Sequence, residues 1–288
     1  MKKLIVNADD FGLSAGANRA VIRAYREGIL TSTSLMVAGR GFDEAVSLAK
    51  ENPGLQVGLH LTLLQGTSVL PPEELPRLVD REGNFSDDPV LTGMRFFFHR
   101  SLRRELYREI EAQILRFRET GLPLSHIDGH LNIHMHPTVF AILAELMPKY
   151  GITSFRLTRE DLARDPASDG VRRFGRWLDA FIFGRLAENC RPVLARQGIF
   201  HADEVKGLLN SGRMTEQYFL QVLDCLGEGC TEVYFHPGCL PDTELAAWMP
   251  DYRHEDELAA LTSRTVREKI TQLGIRLGNY RGEEKTYV

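Results

Sequence analysis

The sequence predicts an α/β fold, a single-domain, irregular (β/α) barrel over residues 1–288 with about seven parallel strands. Three observations predict it. Short, β-rich apolar runs alternate with longer helical stretches from end to end. Several of those runs deliver an ionisable residue at their carboxyl end, where parallel barrels place their sites. No glycine-rich phosphate fingerprint follows the first run, which counts against the alternative of an open doubly wound sheet. No internal repeat, low-complexity segment or composition shift marks a boundary.

The elements follow in order. Lys3 to Asn7 reads as a buried strand, and Ala15 to Glu27 as a helix with Ser14 as N-cap and Gly28 just past its end. Thr33 to Val37 is a second strand, Phe42 to Lys50 a helix and Gln56 to Leu61 a third strand. Gln65 to Thr92 is an irregular span rich in proline, glycine and acids, long enough to be functional. Leu102 to Glu119 is helical, with Ile110, Ile114 and Phe117 at helical spacing. Leu124 to Asp128 is a fourth strand, Pro137 to Tyr150 a helix with Pro137 in its first turn, and Ser154 to Leu157 a fifth strand. Val171 to Arg196 and Thr215 to Leu226 are helical, with a short strand at Ile199-Phe200 between them. Glu232 to Phe235, a helix over Glu255 to Leu273 and a last strand at Ile275 to Leu277 complete the chain.

Hydrophobic content of 43% and charged content of 26% are those of an ordinary globular protein with a sizeable core. A net charge of −4 gives no basic field for nucleic acid. Local arginine clusters at Arg100, Arg103 and Arg104 and at Arg172, Arg173 and Arg176 read as solvated helix faces. Cys190, Cys225, Cys230 and Cys239 form no C-x-x-C pair and read as idle or buried thiols. The amino terminus is too short in apolar residues for a signal peptide, and no run is long enough for a transmembrane segment, so the expected compartment is cytoplasmic.

The polar residues at the strand ends carry the chemistry. Asp9 and Asp10 follow Leu4-Ile5-Val6, His60 follows Val57-Gly58-Leu59, and His236 follows Val233-Tyr234-Phe235. His126, Asp128 and His130 come at the end of the fourth strand, inside an eleven-residue stretch, His126 to His136, that holds four of the nine histidines. Histidine and aspartate are the side chains that a divalent transition metal takes at such a mouth. His99, His201 and His254 have no such company and read as structural.

Taken as a set, Val6-Asn7-Ala8-Asp9-Asp10-Phe11-Gly12, Gly58-Leu59-His60, His126-x-Asp128-x-His130-x-x-x-His134 and His236-Pro237-Gly238 resemble the ChbG/YdjC-like carbohydrate deacetylases. The resemblance runs from Lys3 to about Tyr280. It implies a distorted (β/α) barrel that removes N-acetyl groups from amino sugars, with Asp10, His60 and His130 as a metal triad beside a catalytic Asp9. Leu131 and Asn132 stand where that family usually has further histidines. Within the family the chain looks most like a subgroup associated with hopanoid biosynthesis, which implies an acetylated amino sugar on a polycyclic lipid and a peripheral contact with that lipid. The aromatic runs Phe96-Phe97-Phe98 and Trp177, Phe181, Phe183 suit an apolar aglycone if exposed, and are core helix faces if not.

The chemistry assigns roles on that basis. A two-histidine, one-aspartate site leaves open positions for water and for the acetyl carbonyl. Asp9 is the candidate base and His236 the candidate acid for the leaving amine. Asp128 orients a ligand histidine, His134 is a candidate for touching substrate or supporting the ligands, the sequence leaves open whether His134 or His136 contacts metal or substrate, and Arg156 either pairs with Asp9 or makes a purely structural ion pair. The ligand set fits one divalent ion, magnesium or zinc foremost. The rivals are a soluble chitooligosaccharide deacetylase, a two-metal phosphoesterase on a similar barrel, and a non-catalytic sugar-binding protein.

Overall fold

The computed structural model describes residues 1–166 and 173–283, of which residues 173 and 174 are described as backbone only. Its centre is a parallel sheet. β1 (Lys2–Phe11) pairs with β2 (Ser32–Leu35), then β3 (Gln56–Leu61) and β4 (Leu124–Gly129) follow on one side. On the other side lie β6 (Gly229–Phe235) and, outermost, β5 (Glu204–Lys206). β7 (Arg276–Gly278) pairs with Lys3 to Ile5 at the start of β1, and β2 takes over from Asn7 onward. Leu4, Ile5, Val6 and Ala8 are all buried, which fits a strand covered on both faces.

The sheet curls into a half-barrel. The expected fifth strand, Ser154 to Leu157, is reduced to isolated bridges, because its backbone is shared between two neighbours. Arg156 N–H donates to the Ile127 carbonyl at 2.9 Å, and Phe155 N–H to the Phe200 carbonyl at 2.9 Å. The expected strand at Ile199-Phe200 is likewise no more than that bridge.

Helices cover the outside: α1 (Ala15–Glu27), α2 (Phe42–Glu51), α3 (Pro89–Phe98), α4 (Arg103–Glu119), α5 (Pro137–Tyr150), α6 (Arg173–Gln197), α7 (Glu216–Cys225), α8 (Thr243–Trp248), α9 (His254–Thr262) and α10 (Arg264–Gln272). Ser14 caps α1 by accepting from Ala17 N–H, as the sequence predicts. The helix expected over Glu255 to Leu273 breaks in two at Ser263. That residue leaves the helical region (ψ 130°) and its hydroxyl accepts from Val266 N–H, so a new cap outcompetes continuation. α3, α8 and β5 have no counterpart in the sequence reading. The expected start of the long helix at Val171, and Arg172 of the second arginine cluster, lie outside the described residues. Arg176 of that cluster is buried and paired with Asp165, not solvated. Among the described residues no helix is long and apolar enough to cross a membrane.

Candidate metal centre

The end of β1 is built to present two adjacent aspartates. Pairing with β2 runs through Ala8↔Thr33 and resumes at Phe11↔Leu35, so the two aspartates form a bulge, and Asp10 adopts a left-handed φ of 64°. A bulge at a strand end re-aims side chains, and here it sends the two carboxylates to different partners. Gly12 follows at φ 88°, where a Cβ would sit 2.9 Å from the Met36 carbonyl oxygen, so the turn requires glycine.

Asp10, His60 and His130 converge, with exposures of 2%, 2% and 3%. His60 Nε2 lies 3.3 Å and His130 Nδ1 3.1 Å from the same oxygen, Asp10 Oδ1. Asp10 Oδ2 is buried and has no hydrogen-bond partner. The far nitrogen of each ring is occupied. His60 Nδ1 is 2.8 Å from Asp128 Oδ1, and His130 Nε2 is 3.2 Å from Gln65 Oε1. With those nitrogens donating, each ring is left with its other nitrogen aimed at Asp10, where it can carry a proton or, with that proton displaced, offer a lone pair to a cation. Burial alone would raise the Asp10 carboxyl, but the hydrogen bonds and charges of His130 and His60 hold it well below the usual range. Burial likewise opposes the charged form of His60, yet the Asp128 charge and the hydrogen bonds to Asp10 and Asp128 push it up to about 10. The site holds strong negative potential that a metal would neutralise.

A second buried group, Asp9, His60 and Asp128, has ligand-like spacing. Its oxygens are already committed. Fully buried Arg156 donates from Nη1 to Asp9 Oδ2 and from Nη2 to Asp9 Oδ1, both at 2.7 Å, and its Nη2 lies 2.9 Å from Asp128 Oδ2. A guanidinium in that position excludes a second cation. Arg156 Nε also donates to Glu232 Oε1 at 2.8 Å, and Glu232 accepts in turn from the Tyr280 hydroxyl. The Tyr280 ring stacks 3.9 Å from the ring of His126, whose other face lies against Gly58. His126 therefore packs behind the site. Asn7 Nδ2 adds a 2.8 Å hydrogen bond to Asp9 Oδ1.

The remaining histidines divide. His134 is fully buried, and its Nε2–H donates to the Arg156 carbonyl at 2.9 Å; burial drives its pKa down to about 3. His136 caps α5 by accepting from Thr138 N–H, and its Nε2–H donates to the Gly93 carbonyl at 3.0 Å, which ties α3 to α5. Both are supports for the site's walls. His236 sits at the end of β6 against the rings of Tyr234 and Tyr252, its side chain 11% exposed and its Nδ1 without a partner. Burial lowers its pKa, against the pull of Asp10 and Asp9.

Sequence reasoning missed Glu232, Glu257, Tyr280, Gln65 and Trp248. Buried Glu257 accepts from the N–H groups of Met214 and His236 and lies 4.0 Å from His236 Nδ1; burial pushes its carboxyl up to about 7. Trp248 lies over His130 with ring centroids 6.2 Å apart. Glu232 alone left a signal, as a carboxylate inside an otherwise apolar strand. His254, read as structural, donates from Nδ1 to the His236 carbonyl at 2.7 Å.

A family model described as YdjC-like protein matches residues 3–272. A carbohydrate deacetylase from Brevibacillus brevis is 32% identical over 282 residues, covering 96% of this chain and 97% of that one. A crystal structure of a putative cellobiose-phosphate cleavage protein from Enterococcus faecalis superposes with a TM-score of 0.73 at 30% identity, covering 97% of this chain and 98% of that one.

Proposed function

The chain belongs to the YdjC-like family, and from that membership and the donor set around Asp10 we propose that it is a hydrolase removing the N-acetyl group of an amino sugar with one divalent ion, zinc or magnesium. The observation that carries the reading is the aim of two histidine nitrogens at one carboxylate whose second oxygen is buried and unpartnered. Asp10, His60 and His130 would hold the ion, which when bound supplies Lewis-acid chemistry, acidifying water and polarising the acetyl carbonyl.

The chain's own residues do the rest. Asp9 receives the proton of the attacking water, held in one orientation by the two-pronged contact with Arg156 and by Asn7. His236, which follows β6 beside the end of β1, is placed to pass a proton to the departing amine; burial favours its neutral form, so it acts as donor only after taking up a proton in the reaction. Asp128 fixes the tautomer of His60 so that Nε2 stays free for the ion. A two-metal phosphoesterase is disfavoured because Arg156 fills the place of a second ion.

The substrate in this reading carries its acetylated sugar on a lipid, a polycyclic hopanoid in the resembling subgroup. Support comes from aromatic side chains that the fold leaves uncovered: Phe97 and Phe98 are 57% and 67% exposed, Trp177 and Phe181 51% and 55%. Phe96 and partly buried Phe183 pack inside instead. Acetate release from a lipid-linked N-acetylglucosaminyl substrate should exceed that from soluble N-acetylglucosamine oligomers. Equal or greater turnover of the oligomers would return the assignment to a soluble sugar deacetylase.

A further inference from the structure

Helix α3 is held firmly on one side and uncovered on the other. Asp88 caps it, accepting from Val90 and Leu91 N–H at 2.9 Å each; Thr92 and Phe96 are buried. Thr138 Oγ1 donates to the Phe96 carbonyl at 2.8 Å. Its outer face nevertheless exposes Val90 (71%), Leu91 (51%), Met94 (55%), Phe97 (57%) and Phe98 (67%), a continuous apolar stripe. The residues immediately after it are basic. Arg100 and Arg104 are exposed and have no carboxylate partner among the described residues, whereas Arg103 pairs with Glu145. Glu105, the residue after Arg104, is taken by Arg77, whose backbone N–H donates to it at 2.9 Å, and Asp87 and Asp88 lie at the opposite end of α3, about 15 Å away along ten helical residues.

We propose that α3 and the basic turn that follows it are a docking face for an anionic phospholipid bilayer. An apolar stripe ending in unpaired cations is the pattern of an interfacial helix, whose side chains enter the acyl boundary while the cations meet headgroup phosphates. The face is tied to the segment that carries His130. Phe97 packs on His136 with centroids 6.4 Å apart, one residue past the 3-10 turn His130–Met135 that carries a metal-site histidine and the exposed Leu131. A protein docked this way would meet an amphiphilic substrate at the bilayer surface. The proposal goes beyond the deacetylase reading and its test does not need turnover.

The test is co-sedimentation of the full chain with vesicles of phosphatidylcholine, alone or mixed with phosphatidylglycerol, at low and high salt. Binding is expected to the mixed vesicles and to weaken with salt. Arg100→Gln with Arg104→Gln should lower that partition roughly thirty-fold, from the usual attraction of an arginine at an anionic surface. Phe97→Ser with Phe98→Ser should abolish it, with a folded protein whose thermal transition falls only slightly because more than half of each side chain is exposed. Absence of vesicle binding, or binding indifferent to both variants, overturns the proposal. So does a dimer in light scattering that Phe97→Ser with Phe98→Ser dissociates, which would make a second copy the partner of this face. Acetate release from a soluble sugar, measured in parallel, reports on the deacetylase reading separately.

Discussion

Replacing Asp9 by asparagine keeps the shape of the side chain and removes its charge. In the structure Asp9 accepts from both Nη atoms of Arg156 at 2.7 Å and from Asn7 Nδ2 at 2.8 Å, whereas the histidines hydrogen-bonded to Asp10 are His60 and His130. The substitution therefore removes a base and leaves the Asp10 site standing. Loss of a positioned general base lowers kcat by roughly 10²–10⁴-fold. Breaking a buried ion pair usually costs about 3–5 kcal/mol, but Arg156 retains Asp128 and Glu232, so a cost at the lower end, about 3 kcal/mol, is expected. For a chain of this size that is a fall in Tm of roughly 6–10 °C. The assay is steady-state acetate release with metal content by elemental analysis and a thermal melt on the same preparation. Loss of the metal in Asp9→Asn, with Asp10→Asn retaining it, would refute the division of labour between the two aspartates.

Further expectations follow from the same contacts. His236→Gln should leave metal content unchanged and lower kcat by roughly 10²–10⁴-fold; near-normal turnover would exclude it as the proton donor. Gly58→Ala would place a Cβ within 2.4 Å of the His126 ring, which Tyr280 blocks on its far side, so a loss of about 1–3 kcal/mol is expected in denaturant unfolding. His134 should make stability acid-sensitive. Its folded pKa of about 3 lies below the unfolded value of 6.5, so its contribution is complete above 6.5 and lost as pH falls toward 3. Relative to His134→Asn, the wild-type protein should lose up to about 1.4 kcal/mol per pH unit within that window, and a constant difference would contradict the assignment.

Much of this was legible in sequence because the site is made at strand ends. Apolar runs that close on Asp9-Asp10, His60, Asp128 and His130 locate both the strands and the groups they deliver, and those groups do meet in space. What sequence pattern did not reveal depends on tertiary partners. Glu257 and Tyr280 reach the site from α9 and from the chain after β7, and each matters only through a contact distant in sequence. Four histidines close together pointed to ligation, yet His126 stacks on Tyr280 and His134 and His136 hydrogen-bond to backbone carbonyls, since local density says nothing about the direction of a ring. The Ser154 strand failed for a related reason: β-propensity was right, but no neighbour offers it a full ladder. The split at Ser263 turned on one hydroxyl that caps better than it continues a helix.

The central claim is that Asp10, His60 and His130 form the ligand set of one divalent ion. Calorimetric titration of chelator-treated protein with zinc tests it most directly. Saturable binding of one ion per chain is expected in the wild-type protein and in Asp9→Asn, and its loss in Asp10→Asn. Absence of saturable binding, or binding that Asp10→Asn leaves intact, would contradict it.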